Sequence, residues 1–234
     1  MRLPGYGDDE KEEAKTGVSV PSPLLRKVRR TGAEFLPSSM LVRHGTTRKR
    51  RVALTFDDGP DDMTPEYLSL LDRLGVRATF FLVGKSCAER RQLVLDIVSR
   101  GHEVAGHGYT HRRFTVMTQT ELRDELANTS ALLPPSRTRR PLVRPPHGST
   151  TVQSLLRCTR AGYTTVLWSA DSGDAHLKNP DDMVEQLVPE RVSPGDIVLL
   201  HEGQRSTLDA LPRIVTGLQA AGYELVTVSE VLGP

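Results

Sequence analysis

Short apolar runs alternate with stretches of helical periodicity from Arg51 onward. The first run, residues 52–56, is rich in β-branched and aromatic residues and stops at a turn sequence, Asp-Asp-Gly-Pro. A stretch at 65–74 follows, with leucines at helical spacing and a closing glycine. Further strands are predicted at 78–83, 103–105, 142–143, 164–167, 197–200 and 224–226, and helices at 92–100, 118–133, 151–161, 180–188 and 207–221. This alternation predicts a parallel α/β architecture.

Polar residues of complementary chemistry follow the ends of these predicted strands. They lie in the segments TFDDGP, GHGYTH, RPPHG, WSADSGD and VLLHE. In a (β/α) barrel the loops after the strands meet at one face, although they are far apart in sequence. We therefore predict a barrel, with an open doubly wound sheet as the alternative.

The length and the local composition indicate one domain preceded by a tail. A chain of 234 residues suits a single α/β domain with a full core. Residues 1–34 mix an acidic run, prolines and a basic run without sustained periodicity, which predicts a flexible N-terminal tail with a short helix near 24–29. Residues 35–50 are interpreted as a lead-in, so the catalytic domain is predicted to span 35–234.

Charge and cysteine content exclude several classes of protein. The net charge of +2 requires no nucleic-acid or anionic-membrane partner, and the basic clusters at 26–30, 48–51 and 137–140 are interpreted as solvated turns. Cys87 and Cys158 are too few for a disulfide scaffold; we expect free thiols, with a single bridge as the alternative.

The sequence contains no run that resembles a membrane span. No apolar stretch approaches the roughly 20 residues that a spanning helix needs. Acidic residues stand where a signal peptide would have its apolar segment. The sequence as given therefore predicts a cytoplasmic protein, and a missing leader would make it extracellular or part of the cell envelope.

Two of the polar segments carry metal-binding side chains. Asp57 and Asp58 crowd two carboxylates at one turn, which a bound cation would stabilise, although a solvated turn is the simpler explanation. His107 and His111 are four residues apart in a glycine-containing segment that favours a loop. Two neutral imidazoles with a carboxylate from elsewhere make a plausible ligand set for a divalent ion.

The remaining segments offer groups for proton transfer. Arg144 lies in a stiff turn that suits backbone N–H groups aimed at an oxyanion, or else a rigid connection with an exposed arginine. His201 ends an apolar strand, where it is either an acid or a cap on the core edge. An acidic histidine needs a carboxylate partner, for which Asp171 and Asp174 are candidates. Trp168 is interpreted as core or groove wall.

The five segments, in this order, resemble the motifs of the polysaccharide deacetylase (NodB-homology) family, over residues 52–232. The resemblance implies a distorted (β/α) barrel and a metal-dependent N-deacetylase that acts on an N-acetylated carbohydrate, chitin-like or peptidoglycan-like. It also implies zinc, or cobalt or another divalent ion in its place. The resemblance implies that Asp58, His107 and His111 are the metal ligands. It implies that Asp57 is the general base, that Arg144 orients this base, and that His201 is the general acid. The partner of His201 is then Asp174 or, alternatively, Asp171, and the backbone N–H of His147 is the oxyanion donor.

Three positions depart from the family's usual pattern. Gly108 stands where Ser or Thr is common, Ala175 where an aromatic residue is common, and His147 where Tyr is common. These changes affect substrate shape and loop support, not the reacting groups. Two other functions stay open: a hydrolase of a small non-sugar amide or cyclic imide, and a non-catalytic module that binds a polyanion.

Overall fold

The computed structural model describes residues 37–46 and 49–233. The predicted tail at 1–34, its helix at 24–29 and part of the basic cluster at 48–51 lie outside the described residues. The strands are β1 (Leu41–Val42), β2 (Arg51–Asp57), β3 (Thr79–Leu82), β4 (Glu103–Gly106), β5 (Leu142–Val143), β6 (Thr164–Val166), β7 (Ala170–Asp171), β8 (Ile197–His201) and β9 (Glu224–Val226). The α-helices span Thr64–Leu74, Gly84–Glu89, Arg91–Ser99, Gln119–Ser130, Val152–Arg160, Pro180–Gln186, Arg205–Ala220 and Val228–Leu232.

The strands form a curled, parallel sheet. Its order is β1-β6-β5-β4-β3-β2-β8-β7, and β9 pairs with the start of β2. In the described part of the chain β1 and β7 are the two ends of this order, so the sheet is a half-barrel instead of a closed ring. The strand order from β2 to β6 follows the sequence without the reversal of a doubly wound sheet. The predicted distorted barrel is confirmed.

Alternate side chains of β2 serve different purposes on the two faces of the sheet. Val52, Leu54 and Phe56 lie in the larger core cluster, together with apolar residues of the helices Thr64–Leu74, Arg91–Ser99 and Arg205–Ala220. Ala53 lies in the second cluster, with residues of other strands and of the C-terminal helix. This period of two follows from strand geometry. It places Thr55 and Asp57, which continue the series of Ala53, on the inner face of the curl.

Local sequence signals determine several element ends. The helix Thr64–Leu74 ends at Gly75, which has a left-handed backbone with φ of 66°. Thr118 and Glu121 form a capping box at the start of the helix Gln119–Ser130, so this helix begins one residue after the predicted start. The helices Gly84–Glu89 and Val228–Leu232 and the two-residue strands β1 and β7 were not predicted, because such short elements carry too few residues to show a period.

The register of the sheet brings the ends of distant strands together. Asp57 at the end of β2 is paired with His201 at the end of β8, and Gly106 at the end of β4 with Val143 at the end of β5. His107 and the residue after Val143 therefore leave the sheet side by side.

Other predictions about the domain are tested by the same structure. Cys87 and Cys158 are both buried free thiols, as expected. Over residues 37–46 and 49–233, none of the helices has the length and apolar character needed to cross a membrane.

Candidate active site

The metal-binding side chains predicted from sequence meet at the carboxyl ends of β2 and β4. The Nε2 atom of His111 lies 3.0 Å from Asp58 Oδ1, and Nε2 of His107 lies 3.4 Å from the same oxygen. One ligand atom from each of the three residues lies within 4.8 Å of the other two. Asp58 and His111 both have a left-handed backbone, with φ of 76° and 62°, which turns their side chains toward the common point.

The donor set fits a divalent cation. Nδ1 of His107 lies 2.8 Å from the carbonyl oxygen of Arg144. Because a carbonyl only accepts, Nδ1 carries the proton and Nε2 presents a lone pair to the carboxylate of Asp58. Two lone pairs facing each other are unfavourable unless a cation lies between them. Ligands of a tetrahedral zinc ion are about 3.3 Å apart, from bond lengths of about 2.0–2.1 Å, and the observed separations agree with this value.

Asp57 and Arg144 form a buried ion pair directly behind this cluster. Nη1 of Arg144 donates to Asp57 Oδ1 at 2.6 Å and to the hydroxyl of Thr55 at 2.9 Å. Arg144 is fully buried and Asp57 is 3% exposed. Burial lowers the pKa of the Arg144 guanidinium, and the charge of Asp57 opposes this effect. The alternative interpretation, in which Arg144 is an exposed arginine in a rigid connection, is therefore wrong. The second oxygen of Asp57, Oδ2, lies 3.9 Å from His107 Nε2 and faces the metal-binding cluster.

His201 is held by Asp174 at the end of β8, beside Asp57 at the end of β2. Nδ1 of His201 lies 2.7 Å from Asp174 Oδ1, and the backbone N–H of His201 donates to Oδ2, also at 2.7 Å. Thr207 donates its hydroxyl to the same Oδ2 at 2.9 Å. Burial lowers the pKa of His201, but the hydrogen bond and the charge of Asp174, together with more distant carboxylates, raise it to about 9. The imidazole is therefore protonated near neutral pH.

Asp171 binds Trp168 and a backbone N–H group instead of His201, for which it was a candidate partner. Its Oδ2 accepts from the indole N–H of Trp168 at 3.1 Å, and its Oδ1 accepts from the backbone N–H of Gly173 at 2.9 Å. Asp174 bonds to His201, so the alternative assignment of Asp171 as the partner of His201 is corrected. Asp171 orients Trp168 and closes a turn.

These side chains line one cleft at the carboxyl ends of the strands. Its lining residues are Asp57, Asp58, His107, His111, His147, Gly148, Trp168 and His201. Trp168 is thus a wall of the cleft. Gly148, the last residue of the RPPHG segment, has a positive φ, and a Cβ there would overlap the Trp168 ring, so the glycine allows a close approach as the sequence predicted. The cleft is open to solvent, since the side chain of Asp58 is 44% exposed and that of His111 33% exposed.

Three residues around the site, Thr64, Glu202 and Thr207, were given no role from sequence. Glu202 follows His201, is 4% exposed and accepts from the Thr64 hydroxyl at 2.7 Å. Burial raises the pKa of Glu202 to about 8, so it is protonated at neutral pH. Its other oxygen abuts Gly59, where a Cβ would overlap it. Thr207 is the residue whose hydroxyl donates to Asp174. Only the adjacency of Glu202 to His201 in the VLLHE segment signalled any of them.

The sequence model described as polysaccharide deacetylase matches residues 44–166, which is more than half of the chain. The protein therefore belongs to the polysaccharide deacetylase family, as the motifs predicted. Members of this family are metal-dependent, in agreement with the cluster of two histidines and an aspartate.

Particular relatives cover most or all of the chain. A peptidoglycan-N-acetylglucosamine deacetylase of Bacillus cereus is 32% identical over 214 residues, covering 89% of this chain and 98% of the relative. Peptidoglycan-N-acetylglucosamine deacetylase PgdA of Listeria monocytogenes is 30% identical over 237 residues, covering 100% of this chain and 48% of the relative. The chain thus spans about half the length of the Listeria relative.

A solved structure shows that the fold by itself does not define activity. BA3943 of Bacillus anthracis, described as a CE4 family pseudoenzyme, has a TM-score of 0.75 and 28% identity, covering 86% of this chain and 71% of that chain. Whether a protein with this fold is a catalyst therefore depends on the side chains in its cleft and not on the barrel.

Proposed function

We propose that this protein is a zinc-dependent hydrolase that removes N-acetyl groups from an amino-sugar polymer or oligomer, chitin-like or peptidoglycan-like. One observation carries the proposal: the Asp58–His107–His111 cluster, Asp57 of the buried Asp57–Arg144 pair, and His201, which buried Asp174 holds, all line one cleft. Hydrolysis of an amide needs a base and an acid within reach of the reacting group, and the two pairs offer them.

The proposed metal site consists of Asp58, His107 and His111. Two neutral imidazoles and one carboxylate suit zinc and leave a coordination position open, and cobalt is the alternative. When bound, the ion supplies Lewis-acid chemistry that lowers the pKa of a water molecule from about 15.7 to about 7.

Asp57 is proposed as the general base. Its Oδ1 is fixed by Arg144 at 2.6 Å, which leaves Oδ2 as the oxygen that takes a proton from the attacking water. Arg144 keeps the carboxylate oriented and pairs it in a buried position, where an unpaired charge would be costly. Attack forms the carbon–oxygen bond of the tetrahedral intermediate, whose oxyanion we assign to the backbone N–H of His147.

His201 is proposed as the general acid. Asp174 binds Nδ1, so the proton on Nε2 is the one available at the cleft. Transfer of that proton to the amide nitrogen lets the carbon–nitrogen bond break, giving acetate and a free amine on the sugar. An amide nitrogen is a poor leaving group until it is protonated, which explains why the acid must remain charged near neutral pH.

The exposure of the site favours a polymer over a small amide. A small substrate is usually held in an enclosed pocket that buries most of its surface. Here two of the three proposed ligands are one-third or more exposed, so a long chain can lie across the cleft. Relatives named as deacetylases of peptidoglycan and chitooligosaccharide support the same substrate class. The cytoplasmic location expected from the sequence stays a prediction, which cell fractionation tests.

Acetate release tests the proposal. The purified protein is incubated with N-acetylglucosamine oligomers and with peptidoglycan, first as isolated, then after chelation, and then with zinc restored. We expect release that disappears with the chelator and returns with zinc, and no release from Asp57→Ala. A folded, zinc-loaded protein that releases no acetate from either substrate would refute the proposal; turnover of a small-amide panel instead would identify the alternative substrate class.

A further inference from the structure

The loop that carries both histidine ligands is held from one side by backbone donors. The amide N–H groups of Gly84 and Lys85, at the start of the helix Gly84–Glu89, donate to the carbonyl oxygens of Gly108 and Tyr109 at 2.9 and 3.0 Å. A Cβ at Gly84 would lie 2.5 Å from the Tyr109 ring and 2.9 Å from its Cα. Only glycine permits this close approach, so the loop is pressed against the helix start.

A single carboxylate holds the loop from the other side. Glu125, on the helix Gln119–Ser130, accepts at Oε2 from the backbone N–H groups of Tyr109 at 2.6 Å and Thr110 at 2.9 Å. Its Oε1 accepts from the Thr110 hydroxyl at 2.7 Å. Glu125 is only 8% exposed, so these three hydrogen bonds are largely shielded from water. Both amides lie between His107 and His111 in sequence.

The backbone at Gly108 limits which side chain can support the loop from within. Its φ is +77°, which is strained for any residue with a Cβ, and a Cβ at this position would lie 3.2 Å from the Phe114 ring and 3.4 Å from Glu125 Oε2. The loop amides are instead bound by Glu125, which lies on the neighbouring helix.

The conformation of His111 requires such support. Its φ of 62° lies in the left-handed region, which is strained for a non-glycine residue. Such a conformation persists only where the surrounding structure enforces it. Its immediate predecessor, Thr110, is bound to Glu125 by two of the three hydrogen bonds.

We infer that Glu125 is a positioning residue that fixes the loop between His107 and His111 and thereby sets the metal affinity of the site. The inference rests on the proposed function only in that it takes these histidines to be ligands. It requires no assumption about the substrate.

Zinc titration of the metal-free protein tests this role without any turnover. The zinc dissociation constant is measured in competition with a chelating indicator, and folding is followed by circular dichroism. In Glu125→Ala we expect affinity to fall about 10- to 100-fold, the usual effect of removing a group that orients a ligand. In Glu125→Gln we expect affinity near that of the unmodified protein, because one amide oxygen can accept from both N–H groups and the NH2 can donate to the Thr110 hydroxyl. The matched control is Asp124→Ala, an exposed neighbour on the same helix.

The outcomes separate positioning from general stability. A purely structural role would lower the melting temperature of Glu125→Ala without changing its zinc affinity, and that result would overturn the inference. Equal losses of zinc affinity in the Ala and Gln variants would overturn it as well. Should Glu125→Ala not fold, Thr110→Val removes one of the three bonds, and unchanged zinc affinity in that variant would overturn the inference. Deacetylase activity is measured separately, so its absence would refute the proposed function and leave the zinc result intact.

Discussion

Replacing Asp174 with asparagine should abolish the acid function of His201. Asp174 is fully buried and binds both the ring and the backbone of His201. Asparagine keeps the shape but loses the charge. Its NH2 group would donate to Nδ1, so the imidazole stays neutral, and its single proton on Nε2 is far less acidic than that of an imidazolium. Without the opposing carboxylate, burial dominates, so the pKa of His201 should fall from about 9 to 6.5 or below.

The size of this change follows from the two pKa values. The difference between about 9 and the ordinary 6.5 is worth about 3 kcal/mol, at about 1.4 kcal/mol per pH unit. Because the pKa is higher in the folded state, protonation of His201 stabilises the fold fully below about pH 6.5, and this contribution is lost as the pH rises through about 9. The variant should lack this pH dependence of the free energy of unfolding. Its turnover should fall by about a hundred- to ten-thousandfold, the usual contribution of a positioned general acid.

Two assays check this prediction. The His201 ring is titrated by NMR in the metal-free protein, since a bound cation would offset the charges of the nearby carboxylates, and the resonance is assigned by its absence in His201→Gln. Urea unfolding at several pH values then gives the stability difference. An Asp174→Asn protein whose His201 still titrated near 9, or whose stability had the same alkaline decline as the unmodified protein, would contradict the assignment of Asp174 as the partner.

Three further substitutions test the rest of the site. Asp57→Ala should remove turnover and retain zinc in metal analysis; zinc lost together with activity would make Asp57 a ligand instead of a base. Arg144→Met should lower the free energy of unfolding by about 3–5 kcal/mol in urea titrations, because it leaves the buried charge of Asp57 unpaired; a loss within about 0.5 kcal/mol would contradict a buried pair. Gly59→Ala should cost about 1–3 kcal/mol through overlap with the Glu202 carboxyl group, and Glu202→Ala in the same chain should relieve most of this cost. Additive losses in that double variant would show that the two residues do not contact each other.

Several features of the protein could be read from the order of its residues. Strands and longer helices were predicted because many side chains repeat with a period of two or about 3.6, so chance matches average out. The prediction that Asp57, Asp58, His107, Arg144 and His201 would meet depended only on each following a parallel strand. Parallel strands present their carboxyl ends at one edge, which makes this proximity a consequence of topology.

Short elements and contacts between distant segments were not accessible in this way. β7 has two residues and leaves no periodic signal, yet it leads into the loop that carries Asp174. Sequence left the partner of His201 open between Asp171 and Asp174, which are three residues apart. The backbone of this loop decided it by directing Asp171 to the Trp168 indole and Asp174 to the imidazole.

The supporting residues illustrate the same limit. Glu125 lies on a helix surface pattern that is typical of a solvated charge, and only packing brings it to the histidine loop. The reacting groups were determined by the sequence because their chemistry and their positions after strands are local properties. Their orientation, burial and pKa values were decided by the tertiary structure, because these depend on atoms that approach from residues distant in the chain.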